Sequence, residues 1–216
     1  MARYKLAIVI PAFNEEKTIG KVVESVKEYG IVIVVNDASL DNTMQVAKNS
    51  GAIVVNLNEN KGYDGALNSG FNKADELNCD GVITFDADGQ HDSKDINVFI
   101  KKLKEGNDLV LGVRVNTQRL SEWIFKLYTI RRYGWKDPLC GFKGYSMQLY
   151  RNRGWFDSFN SIGTELAMYG IINKYKYIEV DISIYPRSDK PRFSSVIVSN
   201  FIITKSMIKS LLTNYK

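Results

Sequence analysis

The chain has 216 residues, 44% of them hydrophobic, and its 29 Lys plus Arg exceed its 24 Asp plus Glu to give a formal charge of +5 and a pI near 9.0. That length supports one full-sized domain with its own core and a small C-terminal appendage. The mild basic excess suits an anionic small molecule or membrane surface, while its even mixing with acids and the lack of a basic run interleaved with aromatics argue against a nucleic-acid binder.

In chain order, MARYKLAIVIPAFNEE reads as a first strand cut short by Pro11 and the acids, without the longer apolar core of a signal peptide. LAIVIPAF, IVIVVND, AIVVNLN, GVITFDAD and DLVLGVR are short β-branched runs, as expected for strands covered on both faces. Helical patterns lie between them. After Asn14, a plausible N-cap, Ile19, Val22, Val23 and Val26 recur at helical spacing and Gly30 offers a stop. SLDNTMQVAKNSG and SKDINVFIKKLKEGN behave the same way. Such alternation implies a parallel sheet with crossover helices. Beyond Arg114, LSEWIFKLYTIRRYGW and SIGTELAMYGIINKY read as helices, DPLCGFKGYS as a loop or short strand, and YIEVDISIYP as a further strand. The tail places Ile197, Phe201, Ile208 and Leu212 on one helical face bordered by Lys205 and Lys209. That face either packs on the domain or lies in a membrane interface with its lysines snorkelling. No segment approaches the ~20 apolar residues of a spanning helix. Cys79 and Cys140 are far apart and read as reduced thiols of a cytosolic protein rather than metal ligands.

Polar, turn-forming residues follow every early strand: PAFNEE, NDAS, NENKGYDG and DADGQ. In open α/β sheets, ligands bind outside the carboxyl ends of the strands. FDADGQHD is the most pointed of these stretches. In an extended segment residues i and i+2 share a side, so Asp86 and Asp88 converge, and the two like charges call for a cation between them. Two hard oxygen donors suit Mg²⁺ or Mn²⁺, which take remaining ligands from water and substrate phosphate, and Gln90 continues the alternation with a neutral oxygen. A calcium loop fails because its sixth position is His91 and its closing position Asn97. His91, the sole histidine, alternates away from the two aspartates. Neither GxxxxGK[ST] nor GxGxxG is present, which disfavours a P-loop or a dinucleotide fold. A nucleotide can still be held at the first two strand ends. Asp37 is suited to accept from a base N–H, and Glu15 either binds a base edge or ribose hydroxyl or is simply an acid in a helix's first turn. Lys61 either reaches a phosphate or solvates a turn.

Taken together, IVIPAFNEEKTI, VVNDASLDNT, NENKGYDGALNSG, FDADGQHD and DPLCGFKGYS resemble, in order and over about two-thirds of the chain, the inverting GT-A glycosyltransferases. The resemblance is to the group that includes polyprenyl-phosphate (dolichol-phosphate) mannosyl- and glucosyltransferases. It implies a Rossmann-like, mostly parallel α/β sheet flanked by helices, with a catalytic domain over 1–193 (a nucleotide-sugar and metal half to 114, an acceptor half after it) and an amphipathic helix over 194–216. It also implies that Pro11, Phe13, Glu15, Val35 and Asp37 cradle the nucleotide, with Ser39, Lys61, Ala87 and Arg114 as further donor-binding positions. Asp86, Asp88 and Gln90 would hold the divalent cation, Mg²⁺ or Mn²⁺, on the donor diphosphate, with Asp88 counted among the catalytic residues. The chain departs from the pattern in having Asn36 before Asp37, where aspartates are often paired, and Cys140 where a serine is common. Lys136 stands where a basic residue meets acceptor or donor phosphate. Arg187 fits the arginine expected late in the chain, and Lys190 or Arg192 supplies a phosphate contact.

An acceptor lipid phosphate is already an anion and needs little help from a base, whereas a glycan hydroxyl must lose a proton. For the second case the candidates are Asp137 and Glu165, whose structural alternatives are a loop-organising acid before Pro138 and a helix-surface glutamate. The expected partners are a nucleotide-sugar donor and a polyprenyl-phosphate or glycan acceptor, at the cytoplasmic face of a membrane and in peripheral contact with it. A nucleotidyltransferase would carry a Gly-rich basic loop where this chain has PAFNEE, and a non-catalytic nucleotide-sugar module stays open.

Overall fold

The computed structural model describes residues 4–114, 120–158 and 160–185, together with 204, 205, 208, 209 and 213. In the first part, strand and helix alternate as the β-branched runs require: β1 (Leu6–Ala12), α1 (Ile19–Val26), β2 (Ile31–Asn36), α2 (Thr43–Asn49), β3 (Ile53–Asn56), α3 (Gly62–Glu76), β4 (Gly81–Thr84), α4 (Ile96–Lys104) and β5 (Leu109–Arg114). Then follow α5 (Leu120–Tyr133), β6 (Lys143–Ser146), α6 (Met147–Arg153), α7 (Glu165–Ile172) and β7 (Tyr177–Ile182). The strands form one sheet in the order β3-β2-β1-β4-β6-β5-β7. All run one way except β6, which is antiparallel to both β4 and β5. Residues from both sides of Arg114 therefore share one sheet.

Strand alternation divides the core into two layers. Leu6, Ile8 and Ile10 of β1 pack with Ile19, Val22, Val23 and Phe99 on the side of α1 and α4. Ala7 and Val9 face the other way, toward Phe71 of α3, Leu149 of α6 and Leu166 of α7. β3 departs from the both-faces-covered expectation: as the edge strand it leaves Ile53 37% exposed. Helix α3 is the longest described and was not anticipated, because its buried Ala66, Leu67, Phe71 and Ala74 are diluted by glycine and asparagine. The N-cap expected at Asn14 is also absent. Thr18 precedes α1, and Asn14 adopts φ +54° in the loop before it.

Candidate functional site

β1, β2, β4 and β5 point the same way, so the loops following them meet at one edge of the sheet. The first two loops are stitched together. Asn14 N–H donates to Ser39 Oγ (2.9 Å) and Leu40 N–H to Asn14 Oδ1 (2.8 Å), while Glu15 N–H donates to Thr43 Oγ1 (2.7 Å). Glu15 is buried and accepts from the Thr18 hydroxyl at 2.7 Å. Asp37 is likewise buried, its Oδ1 taking the Lys61 backbone N–H at 2.7 Å, so Lys61 contributes its main chain here while its side chain is exposed. Pro11 pairs in register with Val35, and Pro11 and Phe13 are half-buried at this edge. Val35 and Ala87 are both buried. The Val35 side chain packs in the α3 layer and that of Ala87 in the α1 layer, so neither side chain lies on an open ligand surface.

The acid stretch is a turn and not a continued strand. β4 ends at Thr84, residues 87–89 turn with Gly89 at φ +73°, and Gln90 N–H donates to Asp88 Oδ1 at 3.1 Å. The alternation argument therefore fails at His91, which the turn brings back: its Nε2 is 3.0 Å from Asp86 Oδ2. The imidazole is buried between the rings of Phe85 and Phe142, with centroids 5.5 and 5.3 Å away. Asp88 and Gly89 line a pocket of about 390 Å³ together with Lys17 and Thr18 before α1, Lys21 within it, and Tyr185. Gln90 Nε2 donates to the Tyr185 carbonyl at 3.2 Å.

Asp86 is the electrostatic centre of the edge. Burial opposes its charge, but the hydrogen bond and charge of His91, then Lys143 and Arg114, more than offset it and hold the carboxyl below its usual value. The Tyr63 hydroxyl lies 3.4 Å from Asp86 Oδ1. Gly141 closes the remaining side: a Cβ built on it would lie 2.4 Å from Asp86 Oδ2. Its loop is pinned by the Thr84 hydroxyl, which donates to the Gly141 carbonyl at 2.6 Å.

Lys143 was not among the expected site residues. β6 runs antiparallel to β4 and pairs Lys143 with Thr84, which delivers the lysine to the same edge as Asp86. It is buried and donates to the Gly163 carbonyl at 3.0 Å, with the Trp135 ring centroid 5.6 Å from Nζ. Burial pulls its ammonium below the usual lysine value, and nearby Cys140, Asp137 and Asp86 only partly restore it. The readable signal lay in DPLCGFKGYS, but nothing in a single sequence says that β6 is reversed.

The two carboxylates expected as bases are already engaged. Asp137 is buried and accepts Arg114 Nε on Oδ2 and Nη2 on Oδ1, both at 2.8 Å, as well as the Arg114 backbone N–H at 3.0 Å. Burial disfavours the Arg114 charge, but the hydrogen bonds to Asp137 win and raise it above the usual arginine value. Arg114 thus spends its fork on Asp137, with Glu122 of α5 3.6 Å from Nη2. Glu165, expected on a helix surface, is fully buried. It accepts from Arg153 (2.8 Å), Trp155 Nε1 (2.9 Å), and the Ser158 N–H (2.5 Å) and hydroxyl. Lys136 is exposed and bound to Glu179 through its backbone N–H (2.6 Å) and its ammonium (3.1 Å). Arg187, Lys190, Arg192 and the tail over 194–216, apart from five isolated positions, lie outside the described residues.

A buried lattice supports Lys143 from behind. Asp64 of α3 accepts the N–H groups of Ile162 (2.9 Å) and Gly163 (2.5 Å), both with positive φ, which fixes the carbonyl that Lys143 binds. Burial, followed by the charge of Asp157, raises the Asp64 carboxyl from 3.8 to about 7.

Among the described residues no three His, Cys, Asp or Glu side chains are grouped so as to hold a metal by themselves. Asp86 and Asp88 are hard oxygen donors of the kind that Mg²⁺ and Mn²⁺ take beside a diphosphate and water, but the strand alternation expected to bring the two together stops at Thr84.

An uncharacterised protein of Methanocaldococcus jannaschii is 42% identical over 114 residues, 51% of this chain and 47% of its own length. The UDP-N-acetylglucosamine–dolichyl-phosphate N-acetylglucosaminyltransferase of Methanococcus voltae is 34% identical over 139 residues, 55% of this chain and 55% of its own. The chain thus spans about half the length of these two relatives. Glucosyl-3-phosphoglycerate synthase of Mycobacterium tuberculosis, solved with Mn²⁺, UDP and glucosyl-3-phosphoglycerate, has the same fold. It superposes with a TM-score of 0.77 over 97% of this chain and 79% of that one, at 20% identity. The glycosyl transferase family 2 model matches residues 7–164, a stretch that holds both stitched loops, the acid turn and Lys143. The chain belongs to glycosyl transferase family 2.

Proposed function

We propose that the chain is a metal-dependent, inverting glycosyltransferase that moves a hexose from a nucleotide sugar of the GDP-mannose or UDP-glucose type onto a polyprenyl or dolichyl phosphate. One observation carries this reading: Asp86, 3.0 Å from His91 Nε2, shares the sheet edge with the buried Lys143 that β6 delivers there, while both carboxylates suited to act as a base are consumed by other partners. Such a site is prepared to stabilise a departing diphosphate and offers little to deprotonate a hydroxyl. An anionic phosphate acceptor needs no such help. The M. voltae relative, named for transfer from a UDP sugar to dolichyl phosphate, supports the same choice and makes a UDP sugar the first donor to test.

In this reading the glycosidic C1–O bond to the nucleoside diphosphate breaks as an acceptor phosphate oxygen attacks C1 from the opposite side. A bound Mg²⁺ or Mn²⁺ supplies Lewis-acid neutralisation of the leaving diphosphate. Asp86 and Asp88 would hold that ion, with Gln90 adding to the set. His91 and Tyr63 fix the Asp86 carboxylate, and Lys143 contributes fixed positive charge at the edge. Glu15 and Asp37 bind the nucleoside between the two stitched loops.

The test incubates the protein with a panel of labelled nucleotide sugars and a short polyprenyl phosphate, with and without Mn²⁺. Label is expected in the organic phase only with the metal, and Asp88→Ala is expected to abolish it. Transfer solely to water-soluble glycans would move the assignment to a sugar-hydroxyl acceptor. Binding of donor without turnover of any acceptor would make the chain a non-catalytic module.

A further inference from the structure

Helix α5 is amphipathic in an unusual sense, because both of its long faces are apolar. Phe125 and Thr129 point inward and are fully buried, with the Thr129 hydroxyl donating to the Trp135 carbonyl at 2.8 Å. Outward, Trp123, Ile124, Leu127 and Ile130 are 54%, 44%, 39% and 38% exposed. At 100° per residue these four fall within an arc of roughly 120°, a continuous stripe and not a scatter of single residues. Large exposed apolar side chains at such spacing mark a surface that meets another apolar phase.

The exposed charges of α5 itself all have one sign. Lys126 borders the stripe, Arg131 falls inside its arc at the C-terminal end, and Arg132 follows, with both arginines exposed. The only acid of the helix, Glu122, is buried and directed to Arg114. That arrangement discriminates among occupants. A second copy packed face to face would bring these cations against their own images. An anionic bilayer answers both the stripe and its border, with a tryptophan at the entry of the helix, the residue favoured at membrane–water interfaces. We propose that the outer face of α5 lies in the interfacial layer of an anionic lipid membrane. There it presents the Arg114–Asp137 side of the sheet edge to that surface. The inference deepens the lipid-phosphate reading and rests on it for its purpose, although the surface itself is read from α5 alone.

The experiment uses the full chain and flotation with vesicles of phosphatidylcholine, alone or mixed with phosphatidylglycerol, without donor or acceptor. Wild type is expected to float with the anionic vesicles and to be released by salt. The combined Trp123→Ser, Leu127→Gln and Ile130→Gln variant is expected to lower vesicle partitioning by about tenfold or more, with an unchanged far-ultraviolet spectrum, since exposed side chains are removed. Arg131→Glu with Arg132→Glu is expected to weaken flotation with anionic vesicles only. Failure of wild type to float would overturn the proposal, as would undiminished flotation of the apolar-stripe variant. A wild-type dimer that the same variant converts to monomer would overturn it in favour of a second copy. Transfer to a short, water-soluble polyprenyl phosphate without vesicles is measured in parallel. Loss of that reaction in wild type sinks the lipid-phosphate reading, whereas loss of flotation alone sinks only the membrane surface.

Discussion

Gly141→Ala is the most direct probe of the site, because one methyl group is aimed at one carboxylate. The added Cβ would lie 2.4 Å from Asp86 Oδ2 and 2.6 Å from Oδ1, where ordinary contact begins at 3.4 Å. The carboxylate must therefore retreat by about 1 Å. It has little freedom to do so, being held by His91 Nε2 at 3.0 Å and by the Tyr63 hydroxyl on its other oxygen. The loop cannot back away easily either, because the Thr84 hydroxyl grips the Gly141 carbonyl at 2.6 Å. Gly141 does not have a positive φ, so the effect is steric and not one of backbone strain. Overpacking of this kind costs about 1–3 kcal/mol of stability. A 1 Å misplacement of a working group costs about 10²-fold in rate, and disturbing a ligand's support costs about 10–100-fold in metal affinity. Calorimetric titration of Mn²⁺ in the presence of a nucleoside diphosphate, turnover at saturating Mn²⁺, and a denaturant melt separate these quantities. The expected result is a folded protein with greatly weakened Mn²⁺ binding and turnover. Parental Mn²⁺ affinity and turnover in a folded Gly141→Ala protein would refute the placement of Asp86 at the metal.

Two further substitutions test the supporting structure. Asp137→Asn unpairs the buried Arg114 fork and is expected to cost about 3–5 kcal/mol in a denaturant melt, with activity per folded molecule largely kept. A melt unchanged from wild type together with a turnover loss of about 10²-fold or more would instead identify Asp137 as a general base. Asp64 carries a pH dependence. Burial first and Asp157 second raise its carboxyl from 3.8 to about 7, so the folded chain keeps a proton that the unfolded chain releases. The stability it contributes is complete below about pH 4 and falls as pH rises toward 7, by at most about 4 kcal/mol. Asp64→Asn, which keeps an oxygen for only one of the Ile162 and Gly163 N–H groups, is expected to lower stability at every pH and to flatten that decline in melts between about pH 4 and 7. An unchanged slope would assign the pH dependence to other groups.

Much of the fold was legible because it rests on local chemistry. The β-branched runs of β1, β2, β4 and β5 and the spacing of Ile19, Val22, Val23 and Val26 act within a few residues, and burial of apolar faces leaves them few alternatives. The clustering of acids after β4 was likewise legible, whereas the groups that offset Asp86 there, His91, Lys143 and Arg114, were not. The turn at Gly89 was misread because a period of two holds only while a strand continues, and one glycine with φ +73° redirected His91 onto Asp86. Helix α3 was hidden for a related reason: its inward face includes Gly70, Ala66, Ala74 and Asp64, a weak apolar stripe whose burial depends on packing against β1 and β2.

What the tertiary structure alone decided was the company each charged group keeps. The sequence by itself determined that an α/β sheet would carry paired acids at a strand end, with a glycine-bearing FKGY stretch farther along. The reversal of β6, a long-range pairing of Thr84 with Lys143, brought a lysine 57 residues from Asp86 to the same edge. Two acids that looked free, Asp137 and Glu165, proved to be spoken for by Arg114 and by Arg153, Trp155 and Ser158. Hydrogen bonds and ion pairs between distant segments depend on angstrom-scale positions set by the whole core, and residue order along the chain does not encode those positions locally.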